Sequence, residues 1–131
     1  MAGDGIQALN IQVFCEINPS EDPEKIKISI VNLFPELKIN VQENQLSGSS
    51  EDIELLSKVL KSIKSRQTIN VLLRIMKSNM TSDSTWFYLN KQAAFVDVIA
   101  LCNEPDESAL GPIKIILNSN NIEKTIENIT A

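Results

Sequence analysis

The stretch Thr85-Trp86-Phe87-Tyr88-Leu89-Asn90-Lys91-Gln92-Ala93-Ala94-Phe95 holds four of the six aromatic residues in this 131-residue chain. Aromatic side chains favour β-strands, so residues 85–89 are predicted to form a strand. Successive side chains on a strand point to opposite faces, so Trp86 and Tyr88 share one face and Phe87 and Leu89 share the other. The stretch therefore predicts a sheet with aromatic side chains on both faces.

The residues after this strand predict a hairpin. Asn tolerates the left-handed conformation that tight turns need, so Asn90-Lys91-Gln92 is predicted to be the turn. Residues 94–101 are then the returning strand, residues 103–108 an acidic loop and residues 112–117 a last strand.

Working outward, alternating patterns predict two earlier strands. The first carries apolar residues at every second position and a mostly polar opposite face, which includes Phe14; the apolar residues are Leu9, Ile11, Val13, Cys15 and Ile17. The second has Leu37, Ile39 and Val41 in alternation. Leu46-Ser47-Gly48-Ser49-Ser50 is predicted to be a loop, because small and polar turn residues dominate it.

Helices are predicted from caps and from apolar spacing. Asp22 before Pro23 marks a helix start, and Pro35 closes that helix. Ser49 and Asp52 predict a capping box for the next helix. Its apolar stripe is Ile53, Leu56, Leu60 and Ile63, and a break in phase near Ser65 leads to a second stripe of Ile69, Leu72, Leu73 and Met76. Asn121 is predicted to cap a short final helix.

This element order predicts one α+β domain over residues 6–131. Because the first strand is half polar, the sheet is expected to be largely antiparallel with the helices packed on one face.

The charge is unevenly distributed. The chain carries a net charge of −5. Residues 55–96 nevertheless contain seven basic residues and one acid, Asp83. Such asymmetry indicates a local anion-binding face, or alternatively a solvated helical face whose lysines pair with acids elsewhere in the fold.

The chain lacks the residues that several kinds of catalytic and ligand-binding site require. The chain has no histidine, which removes the commonest general base and most zinc sites. Its four glycines form no phosphate-binding loop. Cys15 and Cys102 are predicted to be buried free thiols. Carboxylate-only metal catalysis stays open, but no residue indicates it, so no enzyme activity, metal or cofactor is predicted.

The first residues and the hydropathy of the chain indicate where in the cell the protein is expected. The first five residues lack the basic and apolar regions of a signal peptide, and no apolar run is long enough to span a membrane. A cytoplasmic protein is expected.

The aromatic strand suggests a binding surface. If helices cover only one sheet face, Trp86 and Tyr88 are left open to stack unpaired bases. Lys91 is then expected to contact a phosphate, and Asn90 or Gln92 a base edge. The alternatives are that the aromatics belong to the core or to a subunit interface, and that Asn90 serves the turn backbone.

Residues 87–94, Phe-Tyr-Leu-Asn-Lys-Gln-Ala-Ala, resemble the central motif of an archaeal family of small uncharacterised proteins. Two flanking stretches agree: residues 21–25, leading to Asn32-Leu33-Phe34-Pro35, and Leu110-Gly111-Pro112-Ile113. The family often has a small residue, such as glycine, where this chain has Asp97. The resemblance implies a fold similar to the ribosomal protein that binds 5S RNA. It also implies the label of predicted RNA-binding protein and a link to the archaeal RNA-degrading exosome.

The hypothesis is therefore a non-catalytic RNA-binding or ribonucleoprotein-associated module. Phosphate contacts are assigned to Lys61, Arg66, Arg74 and Lys77, and a second contact to Asn90, Lys91 and Gln92. The alternative is a protein-interaction module or homodimeric accessory subunit whose Trp86 and Tyr88 meet a partner. No small-molecule substrate is indicated.

Overall fold

The computed structural model describes residues 9–108 and 110–131. Within them six strands form one antiparallel sheet in the order β2-β3-β1-β6-β4-β5. The strands are β1 (Leu9–Glu16), β2 (Asn40–Gln42), β3 (Gln45–Ser50), β4 (Ser84–Leu89), β5 (Leu101–Cys102) and β6 (Ile113–Ser119). The helices are α1 (Pro23–Leu33), α2 (Ser57–Ser65), α3 (Ile69–Ser78), α4 (Lys91–Phe95) and α5 (Ile122–Thr130). The predicted domain boundary at residue 6 and the first five residues lie outside the described residues.

The sheet has one apolar face, and the core lies between that face and the helices. Alternate residues of β1, β4 and β6 are buried there together with the apolar sides of the helices. Their neighbours on the other face are half-buried or exposed. This arrangement confirms the prediction of an α+β fold with an antiparallel sheet, and the strands around Val13, Phe87 and Ile115 lie where the sequence predicted strands.

The predicted loop at residues 46–50 is wrong, because this segment forms β3 and pairs with β1. Leu46 is buried in the core, while Ser47 and Ser49 face the other side. A Cβ atom on Gly48 would lie 2.8 Å from both the Leu37 Cγ and the Lys38 carbonyl oxygen. The glycine therefore lets the chain before β2 pass close to β3.

The predicted hairpin after β4 is also wrong. Asn90 caps α4, since its side-chain oxygen accepts a hydrogen bond from the backbone nitrogen of Ala93. Of residues 94–101, only Leu101 lies in a strand, the two-residue β5 that pairs with β4. Asn is favoured both at the N-cap of a helix and in tight turns, and here Asn90 is an N-cap.

Asp97 follows α4 in the left-handed region, with φ at 61°. This conformation accounts for the small residue expected at this position, because glycine adopts it without steric cost. Asp is one of the few other residues that tolerate it. Its carboxylate also lies 2.7 Å from the ammonium of Lys58, so the Asp97 side chain joins α4 to α2.

The second and third helices differ in detail from their predicted stripes. The predicted break near Ser65 is confirmed, since α2 ends there and α3 begins at Ile69. The helical region is capped by Asp52 and opens with a short 3-10 turn, Ile53–Leu56. Ile53 is exposed and Leu55 is buried instead, because the 3-10 turn shifts the phase. The predicted caps Asp22 and Asn121 are both confirmed.

A buried ion pair links α4 to the start of α1. The ammonium of Lys91 lies 2.9 Å from a Glu21 carboxylate oxygen, and these side chains are only 2% and 8% exposed. Lys91 also donates to the carbonyl oxygens of Glu16 at 2.9 Å and Leu110 at 2.8 Å. A lysine has three donors, and all of them are engaged. Lys91 therefore has no donor left for the phosphate contact that the sequence predicted.

Further hydrogen bonds connect the groups that surround this ion pair. Glu21 accepts hydrogen bonds from the backbone and side-chain nitrogens of Asn18, and the Asn18 amide also donates to the Leu110 carbonyl. Burial alone would raise the pKa of Glu21, but the hydrogen bonds from Asn18 and Lys91 outweigh it and hold the pKa below its usual value. The three stretches that carry the family resemblance thus converge on Lys91.

We expect Lys91→Met to lower the free energy of unfolding by about 3–5 kcal/mol, because it leaves the Glu21 carboxylate buried without its counter-charge. Urea denaturation followed by circular dichroism measures the change. The double variant Lys91→Met/Glu21→Met is expected to recover much of the loss, since no unpaired buried charge remains.

The matched control is Lys58→Met. It breaks the ion pair with Asp97, in which the two side chains are 43% and 56% exposed, and should cost no more than about 1 kcal/mol. Equal losses of unfolding free energy for Lys91→Met and Lys58→Met would show that the buried ion pair stabilises the fold no more than the exposed one does.

Candidate functional site

Three neighbouring strands present aromatic side chains on the sheet face opposite the helices. Trp86 and Tyr88 lie half-buried on β4. On β1, Phe14 is half-buried on the same face. Register places Lys114 of β6 between Phe14 and Tyr88, and Ile116 of β6 beside Trp86. We call this surface the open sheet face, because α1 to α5 contribute to the core on the opposite face and, in the described part of the chain, only the short 3-10 turn Pro105–Glu107 borders this one.

The structure places the two predicted aromatic residues, Trp86 and Tyr88, on β4. Trp86 and Tyr88 share one face of β4, as the alternation predicted, and both are half-buried rather than part of the core. Sequence reasoning did not single out Phe14, Lys114 or Ile116. Phe14 already stood out as an aromatic on the polar side of β1, but its position beside Lys114 depends on cross-strand register.

Lys114 is the cation at the centre of the open sheet face. Its ammonium lies 5.0 Å from the centroid of the Trp86 ring, within cation–π range. The charge is thus held against an aromatic surface and remains half-exposed.

The remaining strand residues on this face are mainly amides and hydroxyls. Of the strand residues that the structure describes here, only Lys114 and Glu16 are charged. The uncharged polar residues are Asn10, Gln12, Asn40, Gln42, Gln45, Ser47, Ser49, Ser84 and Asn118. The open sheet face can therefore make flat apolar contacts and many neutral hydrogen bonds.

A depression of about 590 Å³ lies at one end of this face, against the loop before β6. Phe14, Tyr88 and Lys114 line its sheet side, and Asp106 and Leu110 lie on its loop side. We call it the loop-side depression.

The predicted phosphate ligands lie elsewhere. Lys61, Arg74 and Lys77 are exposed on α2 and α3, and Arg66 is exposed just after α2 with one guanidinium nitrogen donating to the Ile99 carbonyl at 3.3 Å. These residues and the exposed Lys64 form what we call the basic helical surface. It belongs to the helical layer, so the structure does not bring it together with Trp86 and Tyr88.

The predicted base-reading turn has a different role. The side-chain oxygen of Asn90 caps α4, and that of Gln92 accepts a hydrogen bond from the Ser108 hydroxyl at 3.1 Å. Ser108 in turn accepts from the backbone nitrogen of Lys91. These contacts hold the start of α4 to the loop before β6, and the predicted turn geometry for base contacts is wrong.

The chemistry of the described residues contains no evident reactive centre. Cys15 and Cys102 are free and buried, as predicted. Burial raises the pKa of Cys15 to about 11, and it also raises the pKa of Cys102. No cluster of three or more potential metal-binding side chains occurs in residues 9–108 and 110–131. In the same residues, no helix has the length and apolar character needed to cross a membrane.

We expect both thiols to resist an aromatic disulfide reagent at pH 8 in the native state, since burial suppresses the reactive thiolate. Both should react at once in denaturant. Thiol titration by absorbance measures this, with free cysteine as the reference. A fast-reacting native thiol would contradict the buried positions.

The family model and the related proteins each match most of this chain. A family model described as RNA binding matches residues 10–119. A UPF0201 protein of Methanothermobacter thermautotrophicus is 34% identical over 118 residues, which cover 89% of this chain and 87% of that protein. One from Pyrobaculum neutrophilum is 30% identical over 125 residues, covering 91% and 87%. The family model spans the whole sheet apart from Leu9.

Solved structures show the same fold. The crystal structure of a UPF0201 protein from Methanococcus jannaschii superposes with a TM-score of 0.80 at 24% identity, covering 93% of this chain and 99% of that one. A second, described as an uncharacterized UPF0201 protein, gives a TM-score of 0.75 at 25% identity and covers 89% of each chain.

Proposed function

This chain belongs to the family of UPF0201 proteins whose model is described as RNA binding, and from that membership we propose that it is a non-catalytic RNA-binding module. We assign the binding of unpaired bases to the open sheet face. The observation that carries the proposal is the set of three aromatic side chains, Phe14, Trp86 and Tyr88, around Lys114 on a face without helices.

The spacing of these aromatics suits a single strand. Residues two apart on a strand are roughly 7 Å apart, so Trp86 and Tyr88 offer two neighbouring stacking positions on β4. Phe14 and Tyr88 lie on either side of β6, at roughly 10 Å from backbone to backbone. Small sheet domains that bind RNA stack two or three bases on aromatics arranged in this way.

The polar residues of the face supply the second kind of contact. Asn and Gln side chains hydrogen-bond to base edges, and hydroxyls do so more weakly. Gln12 lies in the same cross-strand row as Trp86, and Asn10 and Asn118 pair in the next row. A base stacked on Trp86 therefore has neutral donors and acceptors on the adjacent strands.

We assign a different part of the RNA to the basic helical surface. Lys61, Arg66, Arg74 and Lys77 are proposed to contact phosphates, as their exposure allows. The sheet separates them from the open sheet face, so one short strand cannot engage both. Phosphate contacts add affinity without reading sequence, whereas stacked bases and base edges define which RNA is bound.

The dependence of affinity on salt distinguishes the two surfaces. For a single strand, the slope of log affinity against log salt is about −0.7 for each neutralised phosphate. The open sheet face has one cation, Lys114, and predicts a slope of roughly −0.7 for a short oligonucleotide. Engagement of four cations on the basic helical surface predicts a slope of roughly −3.

We expect the double variant Trp86→Ala/Tyr88→Ala to lose at least tenfold in affinity for a short unstructured RNA, because each stacked base contributes about 1–3 kcal/mol. Its salt slope should stay near that of the wild type. Fluorescence anisotropy of labelled RNA measures both quantities, and circular dichroism checks the fold.

Two controls accompany this variant. Phe95→Ala removes an exposed aromatic of α4 and should leave affinity unchanged. Lys61→Glu/Arg74→Glu should weaken binding of a long RNA and make its salt slope shallower by about 1.4. If the wild type binds no RNA at 0.1 M salt, where non-specific binders are still measurable, the proposal fails.

We also propose a likeness to the ribosomal 5S-RNA-binding protein and a link to the RNA-degrading exosome. Similarity to the ribosomal 5S-RNA-binding protein is supported only by the α+β architecture. A link to the RNA-degrading exosome requires a protein contact, and α1 and α4 offer a surface for one. Ile28, Val31, Phe95 and Val96 are exposed by 39–66%, and the Asn32 side chain joins the two helices by donating to the Ala94 and Phe95 carbonyls.

This apolar patch is also the observation that favours the second candidate function, a protein-interaction module or homodimeric accessory subunit. If the protein self-associates there, Val96→Glu combined with Ile28→Glu should convert a dimer into a monomer in sedimentation velocity. Trp86→Ala should leave the dimer intact. A wild type that stays monomeric at all concentrations excludes the homodimer.

A further inference from the structure

The loop-side depression combines two aromatic side chains with two free carboxylates. Phe14 and Tyr88 lie on its sheet side, and Glu16 and Asp106 also line it. Neither carboxylate has a hydrogen bond or an ion pair with any residue that the structure describes. Both can therefore accept hydrogen bonds from a ligand.

Glu16 is placed to face a ligand in this depression. It is exposed on β1, two residues beyond Phe14 on the same sheet face. A Cβ atom at Gly111 would lie 3.9 Å from the Glu16 Oε2 atom, so the carboxylate extends towards the loop. The carboxylate thus stands beside the aromatic surface.

The loop wall is held by buried hydrogen bonds. The Leu110 carbonyl accepts from the Lys91 ammonium at 2.8 Å and from the Asn18 amide at 2.7 Å. Leu110 has φ at 64°, a left-handed conformation that costs a leucine energy and needs such contacts to persist. The Ser108 hydroxyl oxygen lies 3.0 Å from the Gly111 carbonyl oxygen, so its single proton is shared between this acceptor and the Gln92 side chain. Because these contacts fix the loop before a ligand binds, binding costs less conformational entropy.

The chemistry of this depression selects among the bases. A carboxylate accepts hydrogen bonds and cannot donate them when ionised. Guanine presents two adjacent donors on its Watson–Crick edge, the N1–H and the N2 amino group. Adenine and cytosine present one amino group there, and uracil presents one imino group. Guanine alone can pair with both oxygens of one carboxylate.

We infer that the loop-side depression binds an unpaired guanine of RNA, stacked against Tyr88 and Phe14, with its N1–H and N2 amino group donating to Glu16. This inference rests on the proposed function and adds a base preference to it. Glu16 and Asp106 repel phosphate, so the phosphodiester turns towards Lys114. The next base then lies on Trp86.

The experiment uses five RNA pentamers that differ only in the central base: UUGUU, UUAUU, UUCUU, UUUUU and UUIUU, where I is inosine. Trp86 is the only tryptophan, so quenching of its fluorescence reports binding beside the depression. We expect UUGUU to bind about tenfold more tightly than UUUUU, since a good bidentate contact discriminates by about this factor. Inosine lacks the N2 amino group and should fall between them.

Glu16→Gln should abolish the preference, so that UUGUU and UUUUU bind with equal affinity. The matched control is Glu127→Gln, an exposed acid on α5, which should retain the preference. Equal affinity of the wild type for all five pentamers would overturn the guanine site while leaving RNA binding itself supported. Binding of none of them would overturn both.

Two other results would also overturn the inference. A guanine preference that survives Glu16→Gln would show that Glu16 is not the acceptor. Saturable quenching by tetramethylammonium chloride that Glu16→Gln abolishes, without any preference among the pentamers, would assign the depression to a cationic ligand.

Discussion

The buried charge of Lys91 is the constraint on which the arrangement of the loops depends. A buried ammonium is stable only when it is paired and fully hydrogen-bonded. Here the required acceptors come from the end of β1, the residues just before α1 and the loop before β6. These acceptors lie 75, 70 and 19 residues from Lys91 in the sequence, so one side chain holds α4, the β1–α1 connection and the loop before β6 together. The convergence explains why the stretches around Glu21, Lys91 and Leu110 carry the family resemblance together.

This constraint also positions the candidate site. Because Lys91 begins α4 and turns inward, the chain leaves β4 on the helical side of the sheet, and Asn32 holds the far end of α4 against α1. The outer surface of β4 is therefore left to Trp86 and Tyr88. The same ammonium holds the Leu110 carbonyl, which shapes the loop beside Tyr88. A buried residue, only 2% exposed, thus shapes the surface proposed to bind RNA.

Local signals were sufficient for much of the fold. Alternation predicted β1, aromatic content predicted β4, and side-chain caps predicted α1 and α5. The strand β3 was missed because its serines and glycine have low strand propensity, and pairing with β1 decides its conformation. Lys91 was misassigned because its partner Glu21 lies 70 residues away. The shared face of Trp86 and Tyr88 follows from one strand, whereas Phe14 and Lys114 join them only through the register of β1, β6 and β4.

The two proposed surfaces differ in what they can contribute to recognition. The proposed phosphate contacts of the basic helical surface would not distinguish one polyanion from another, and within an acidic protein such contacts are local and weakened by salt. The open sheet face carries almost no net charge, so its affinity must come from stacking and from hydrogen bonds to bases. A paired RNA hides both its base faces and its Watson–Crick edges. The open sheet face should therefore bind only unpaired segments, and an RNA with a loop beside a helix suits the chain better than either a duplex or a featureless strand.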